Sequence, residues 1–293
     1  MATASRRPRP PVALTIAASD SGGGAGIQAD LATFAAHGVY GVSVLTGGTA
    51  QNTRGIFGVE PFSPGFIARQ MDAVFPDFRP LAVKIGALVD AKRLRAVVAG
   101  LRRHSPSNVV LDPVLAAKDG SPLLDAAAVS LLRRTLLPLC DLVTPNIPEA
   151  ETLTGLPIRN ESDRRLAAGI LADAGPRAVL IKGGHARGGV VSDLLFDGRR
   201  FVVFEHRRLS SRARHGTGCT LSAAIAANLA LGKGLEASVR EAVEYLQRAI
   251  EAGVFPGRGW GVPDRFAARA RAAVTPSTGT RIRGRRMRSR KSP

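Results

Sequence analysis

Aromatic side chains are scarce in this chain: its 293 residues include 11 Phe, 2 Tyr and 1 Trp. A stacking surface for single-stranded nucleic acid needs a row of such rings, so the composition disfavours that class. Cysteine is scarcer still, with Cys140 and Cys219 alone. Two thiols write neither a disulfide framework nor a four-ligand zinc site, and a reduced, cytoplasmic setting is expected. No apolar stretch approaches the roughly 20 residues that a membrane-spanning helix requires. The opening MATASRRPRPPVALTIAAS has the basic-then-apolar order of a secretory signal. Its apolar part, Val12–Ala18, is short and runs straight into glycines, which reads as a β-strand instead. A Walker loop is absent. SGGGAG falls short of the dinucleotide fingerprint, because Ile27 stands where the spacing from Gly22 and Gly24 requires a glycine.

What is abundant is apolar residues (45%) and glycine (32 residues, with no triplet period), which excludes collagen and fits one large core with many close backbone approaches. The net charge of +18 is uneven. Residues 1–11 carry Arg6, Arg7 and Arg9; residues 276–293 carry six arginines and Lys291 besides, counted from Arg281 to Arg290. Neither stretch has an acid, and removing their ten positive charges leaves +8 on residues 12–275. The reading is therefore a disordered basic tail at 1–11, one folded domain at 12–275 and a second disordered basic tail at 276–293. Such tails attract nucleic acid or anionic surfaces without reading sequence.

Strand-length apolar runs alternate with helix-patterned segments, the signature of parallel βαβ units. The runs are Val12–Ala18, Tyr40–Thr46, Leu81–Ile85, Asn108–Leu111, Asp141–Thr144 and Ala178–Ile181. Between them, IQADLATFAAH, AKRLRAVVAGLRR and DAAAVSLLRRTLL repeat apolar residues at three and four. VVSDLLFDGRRFVVFEH then reads as a hairpin turning at Asp197-Gly198, and two helices follow, the first ended by Gly232. A doubly wound α/β domain follows, with ligands at the carboxyl ends of the strands. SDSGGGAG, AQNTRG, LDPVLAAKDG, TPNIPEAE and KGGH each come after a strand and converge on that rim.

The strongest single motif is His215-Gly216-Thr217-Gly218-Cys219-Thr220, at the start of an alanine-rich helix. Glycines there let successive N–H groups turn to one point, where the helix start adds about half a positive charge and makes an anion hole. The same field is expected to lower the pKa of Cys219 and suit it to accept a proton. The competing reading is a buried cysteine acting as a small hydrophobe.

Taken together, TIAASDSGGGAGIQADL, AQNTRG, KIG, VVLDPV, TPNIPEAE, VLIKGGH and HGTGCTLSAA stand in the order and spacing of one family. Over residues 12–262 the chain resembles the hydroxymethylpyrimidine/phosphomethylpyrimidine kinases of thiamin biosynthesis. The resemblance implies a ribokinase-like three-layer α/β/α sandwich with a mostly parallel central sheet, ATP and Mg2+ as cofactors, a small pyrimidine substrate and a homodimer. It also implies roles. Cys219 with Gly216, Thr217 and Gly218 forms the catalytic turn. Gln51 reads the aminopyrimidine, for which its amide has both donor and acceptor. Asp30 is a substrate-side carboxylate, Val114 an apolar wall, and Gly26 and Ala87 line the same pocket. On the ATP side stand Asn146, Lys182, Lys118 and His215, with Asp112 and Glu149 as hard oxygen groups for magnesium. Glu149 could equally cap a helix.

The chain departs from the family at two places. Ala87 follows Lys84-Ile85-Gly86 where methionine is usual, and Arg258 and Trp260 stand where histidines are expected. Both departures bear on substrate identity, because pyridoxine and pyridoxal kinases share the fold. A nucleic-acid-binding protein that uses the tails and keeps the kinase core as a scaffold is the rival of another class.

Overall fold

The computed structural model describes residues 9–116, 123–185 and 188–267. The basic tails therefore lie outside the described residues, apart from residues 9–11. Among the described residues the strands form one nine-stranded sheet. In chain order they are β1 (Val12–Asp20), β2 (Tyr40–Asn52), β3 (Gly55–Pro61), β4 (Ala82–Ile85), β5 (Val109–Leu111), β6 (Leu142–Val143), β7 (Val179–Ile181), β8 (Val190–Phe196) and β9 (Phe201–Arg207). Their spatial order is β3-β2-β1-β4-β5-β6-β7-β8-β9. The run from β2 to β7 is parallel, and antiparallel strands close both edges.

The helices are α1 (Gly26–Ala36), α2 (Pro64–Phe78), α3 (Ala91–His104), α4 (Ala126–Thr135), α5 (Ile147–Thr154), α6 (Glu161–Asp173), α7 (Thr217–Ala230) and α8 (Leu235–Glu251). Strand alternation sorts them into layers. Leu14, Ile16, Val83, Ile85, Val109, Leu111, Val179 and Ile181 face α2 to α6. Ala13, Ala82, Val110, Leu142 and Leu180 face α1, α7 and α8. The result is the expected α/β/α sandwich with a largely parallel sheet. The parity also places Thr15 and Lys84 toward the α1 and α7 side, among apolar neighbours.

The sequence reading and the fold part company at β2. An apolar run ends at Thr46, but the strand continues to Asn52 because Gly47–Asn52 pair antiparallel with β3. Gln51 thus sits inside a hairpin, opposite Ile56, and not in a loop after a strand. The extension carries Gly-Gly-Thr-Ala-Gln-Asn, without an apolar period to announce it. The β8–β9 hairpin lies where the Asp197-Gly198 turn places it, with Gly198 at φ +87°.

Among the described residues no helix is long and apolar enough to cross a membrane.

Candidate active site

The loop after β1 is organised by Asp20. Its carboxylate accepts the N–H groups of Gly22 and Ala25, both at 2.8 Å, and faces His215 Nε2 at 3.1 Å. Burial alone would raise the pKa of Asp20, but the bonds from His215, Ala25 and Gly22 outweigh it and hold the carboxyl below its usual range. The loop turns into α1 at Gly26, φ +57°, where a Cβ would lie 2.4 Å from the carbonyl oxygen of Ala18. His215 Nε2 also lies 3.3 Å from Gln51 Nε2, and Gln51 Oε1 accepts the Thr49 hydroxyl at 3.0 Å. His215, expected on the ATP side, therefore stands beside Gln51 and Asp20. Gly24 leaves room for its ring: a Cβ there would come within 2.2 Å of it.

The other side of the rim is built at the ends of β5, β6 and β7. Lys182 Nζ sits 2.7 Å from Asp112 Oδ1 and 3.9 Å from Glu149 Oε2. Asn146 and Glu149 form a capping box at the start of α5: Asn146 Oδ1 accepts from Glu149 N at 2.9 Å, and Glu149 Oε2 from Asn146 N at 2.7 Å. The capping reading of Glu149 is thus realised, and the same carboxylate faces Lys182. Burial pushes Glu149 up to about 7, with the nearby Asp112 charge adding to it and Lys182 opposing. Burial opposes the charge of Lys182, yet the two carboxylates raise its pKa. Val114 and Ala87 are half-buried at the ends of β5 and β4, where Ala87 O accepts the Thr46 hydroxyl at 2.8 Å. Lys118 lies outside the described residues.

Between the two sides stands the first turn of α7. Gly216 is its N-cap at φ +79°, with no side-chain cap, so no side chain of the cap takes up the leading N–H groups. A Cβ on Gly216 would fall 1.9 Å from Gly24 O, and one on Gly218 would fall 3.3 Å from Asp112 Oδ2 and 3.5 Å from Lys182 Nζ. The turn is therefore wedged between the two halves of the site. Thr217 donates to the Arg214 carbonyl at 3.3 Å, and Thr220 to that of Gly216 at 2.8 Å.

One expectation is corrected here. The pKa of Cys219 is raised, not lowered. Burial dominates; Lys84 and the N–H of Gly26 pull it down, but Asp30 and Asp112 push it up with burial. Two buried carboxylates add to the dry setting, and the pull of Lys84 and one N–H does not offset them. Asp30, expected on the substrate side, is closed off from solvent. It is fully buried against Lys84 Nζ at 2.8 Å and accepts the Thr15 hydroxyl at 2.6 Å. Asp30 falls on the buried face of α1, the face that packs on β1. Burial would depress Lys84, but Asp30 and Cys219 raise it.

Sequence reasoning passed over Lys84, Thr15, Asp20 and Arg265. The available signal was Lys84 itself, a lone charge in the otherwise apolar strand AVKI. The closing segment with Arg258 and Trp260 covers the β2–β3 turn. Trp260 N donates to Thr53 O at 2.8 Å and Gly259 N to Thr53 Oγ1 at 3.0 Å.

A glycine cradle, a lysine between carboxylates and an uncapped helix start on one rim suit phosphoryl transfer, where positioning and charge neutralisation do most of the work. With the strand order described above, they define a ribokinase-like kinase that uses ATP. The profile of the phosphomethylpyrimidine kinase family matches residues 20–264, and the chain belongs to that family. It is 50% identical over 242 residues to a hydroxymethylpyrimidine/phosphomethylpyrimidine kinase of Rhizobium meliloti, covering 82% of this chain and 91% of that one. It is also 50% identical over 255 residues to the thiamine biosynthesis bifunctional protein ThiED of Geobacter sulfurreducens; this covers 87% of this chain, which spans about half (52%) of that longer relative. Among solved structures, an ADP complex of Bacillus subtilis pyridoxal kinase superposes with TM-score 0.83 at 32% identity, covering 89% of this chain and 99% of that one.

Proposed function

We propose that the protein transfers the terminal phosphoryl group of ATP to the hydroxymethyl group of 4-amino-5-hydroxymethyl-2-methylpyrimidine, and then phosphorylates the monophosphate to the diphosphate. The observation that carries the reading is the first turn of α7, which sets a thiol and the helix-start N–H groups between the Gln51 hairpin and the Lys182 cluster. In the first step the alcohol oxygen bonds to the γ-phosphorus, the bond to ADP breaks, and the alcohol proton passes to Cys219. A raised thiol pKa makes the thiolate scarcer but a stronger proton acceptor. In the second step the attacking phosphate oxygen is already ionised, so the N–H groups and Lys182 matter more than the thiol.

Magnesium fits the residues present. Asp112 and Glu149 share one lysine, and buried Glu149 is left under-neutralised, which suits a hard cation that keeps water ligands and takes others from phosphates. When bound it would offset phosphate charge. The cytoplasmic setting and a homodimer belong to the same proposal.

Pyridoxal kinase is the second reading, because it shares the fold. The 50% identity to the pyrimidine kinase relative against 32% to the pyridoxal kinase favours the first. The test offers the aminopyrimidine alcohol and pyridoxine in competition, with ATP and magnesium. Preference for the pyrimidine is expected, and preference for pyridoxine would reverse the assignment. In the same assay Cys219→Ala is expected to slow the alcohol step by about 10²–10⁴-fold, the usual worth of a positioned base, and the phosphate step less. Wild-type turnover of both substrates would remove Cys219 from proton transfer.

A further inference from the structure

Arg265 lies one residue past the family match and is buried, with 6% of its surface exposed. Among the described residues no carboxylate pairs with it. Its partners are neutral: Nη2 donates to Gly24 O at 2.6 Å and Nε to Thr220 Oγ1 at 3.1 Å. Thr220 Oγ1 in turn donates to Gly216 O at 2.8 Å. Its own carbonyl accepts the Tyr245 hydroxyl at 2.8 Å, which fixes the segment to α8. A buried cation with no carboxylate within ion-pair distance is costly, so its place there calls for a reason beyond packing.

The geometry supplies one. Gly24 belongs to the loop that carries Asp20 and touches His215; Thr220 and Gly216 belong to the first turn of α7. These two backbones approach so closely that a Cβ on Gly216 would strike Gly24 O, and would also lie 2.9 Å from Arg265 Nη2. A planar guanidinium can donate in two directions across that seam, which an ammonium on a flexible stem cannot do in one fixed geometry. Burial lowers the pKa of Arg265 while Cys219, Tyr245 and the more distant Asp30 and Asp20 raise it, consistent with a positive charge beside the thiol.

We propose that Arg265 is a positioning residue for phosphoryl transfer: it clamps the glycine loop after β1 onto the start of α7 and so holds Cys219 and the N–H groups of Gly216 to Gly218 in register with that loop. The inference rests on the reading of α7 given above. Its consequence is a defect in kcat rather than in ATP binding, since misplacement of a reacting geometry by about 1 Å can cost 10²-fold.

The test compares Arg265→Ala and Arg265→Lys with the wild type, at a temperature where circular dichroism shows each folded. Arg265→Ala is expected to lower kcat about 10²-fold with little change in the KM for ATP. Guanidinium ion at non-denaturing concentration is expected to restore much of the loss by occupying the vacated seam. Arg265→Lys is expected to remain slow although folded. Wild-type kcat in Arg265→Lys, or a loss in Arg265→Ala that guanidinium leaves untouched, would overturn the clamp. Should Arg265→Ala not fold, Arg265→Lys decides alone. Cys219→Ala, run in parallel, reports on the thiol separately: full turnover there with a slow Arg265→Lys would remove the thiol and leave the clamp standing.

Discussion

Two lysine–carboxylate pairs flank the start of α7, nearly equal in length and opposite in setting. Lys84–Asp30 closes at 2.8 Å with both side chains at 0% exposure; Lys182–Asp112 closes at 2.7 Å with 13% and 4%. The first is sealed between β4 and α1, and Asp30 Oδ1 has no hydrogen-bond partner there. The second opens on the rim and shares its lysine with Glu149. The same chemistry therefore does two jobs. A sealed pair cannot reach a ligand and sets the field under Cys219, whereas an open pair can exchange its partner for phosphate.

The contrast breaks most sharply on stability. Lys84→Met leaves a buried carboxylate unpaired, for which a loss of about 3–5 kcal/mol is expected in urea unfolding, and the double variant Lys84→Met/Asp30→Leu is expected to recover much of it. Lys182→Met is expected to lose less stability while kcat falls roughly 10²–10³-fold, as removal of one group that steadies transferring charge does. Equal stability losses with equal kinetic losses would show that the two pairs are not divided in role.

A smaller effect sharpens the division between the halves of the rim. Gln51 lies on the β2–β3 hairpin beside His215, away from Lys182. Gln51→Leu is expected to weaken the pyrimidine by about 1–3 kcal/mol, read as KM, with the KM for ATP unmoved. An unchanged pyrimidine KM would take Gln51 out of the pocket.

The sequence made the layers legible because burial on both faces makes β1, β4, β5 and β7 near-continuous apolar runs, while one-sided burial gives the helices a three-four period. It also brought Cys219, Gly216, Asp112, Asn146, Glu149 and Lys182 to one rim, since each follows a strand or opens a helix. It did not show the continuation of β2, where edge pairing replaces any apolar pattern. Nor did it show that Asp30 is sealed, because a carboxylate at one position of α1 looks the same whether it meets solvent or a lysine 54 residues away. Arg265 was illegible for the same reason: its partners, Gly24 and Thr220, lie far off in sequence and are neutral. Electrostatics misled at Cys219, where the local helix start was visible and the distant Asp30 and Asp112 were not.

That error yields the smallest and most direct measurement. Cys219 is faced by Lys84 from β4, Asp30 from α1, Asp112 from the end of β5 and Arg265 from the closing segment, with burial the dominant influence and its direction upward. An acid whose pKa is raised on folding stays protonated in the folded chain at pH values where the unfolded chain has lost the proton. Stability therefore falls as pH rises above the ordinary thiol range, and thiolate chemistry is suppressed below it. In a Cys140→Ala background, iodoacetamide alkylation of Cys219 in the ligand-free protein is expected to climb through the ordinary thiol range without levelling near neutrality. Asp30→Asn removes a neighbouring negative charge and is expected to move the profile down, while Lys84→Met is expected to move it up, each by about one pH unit or less, or up to tenfold in rate at fixed pH. A plateau below pH 7 in the wild-type profile would mean that the helix start outweighs burial after all, and the sealed pair would then have no part in setting the thiol.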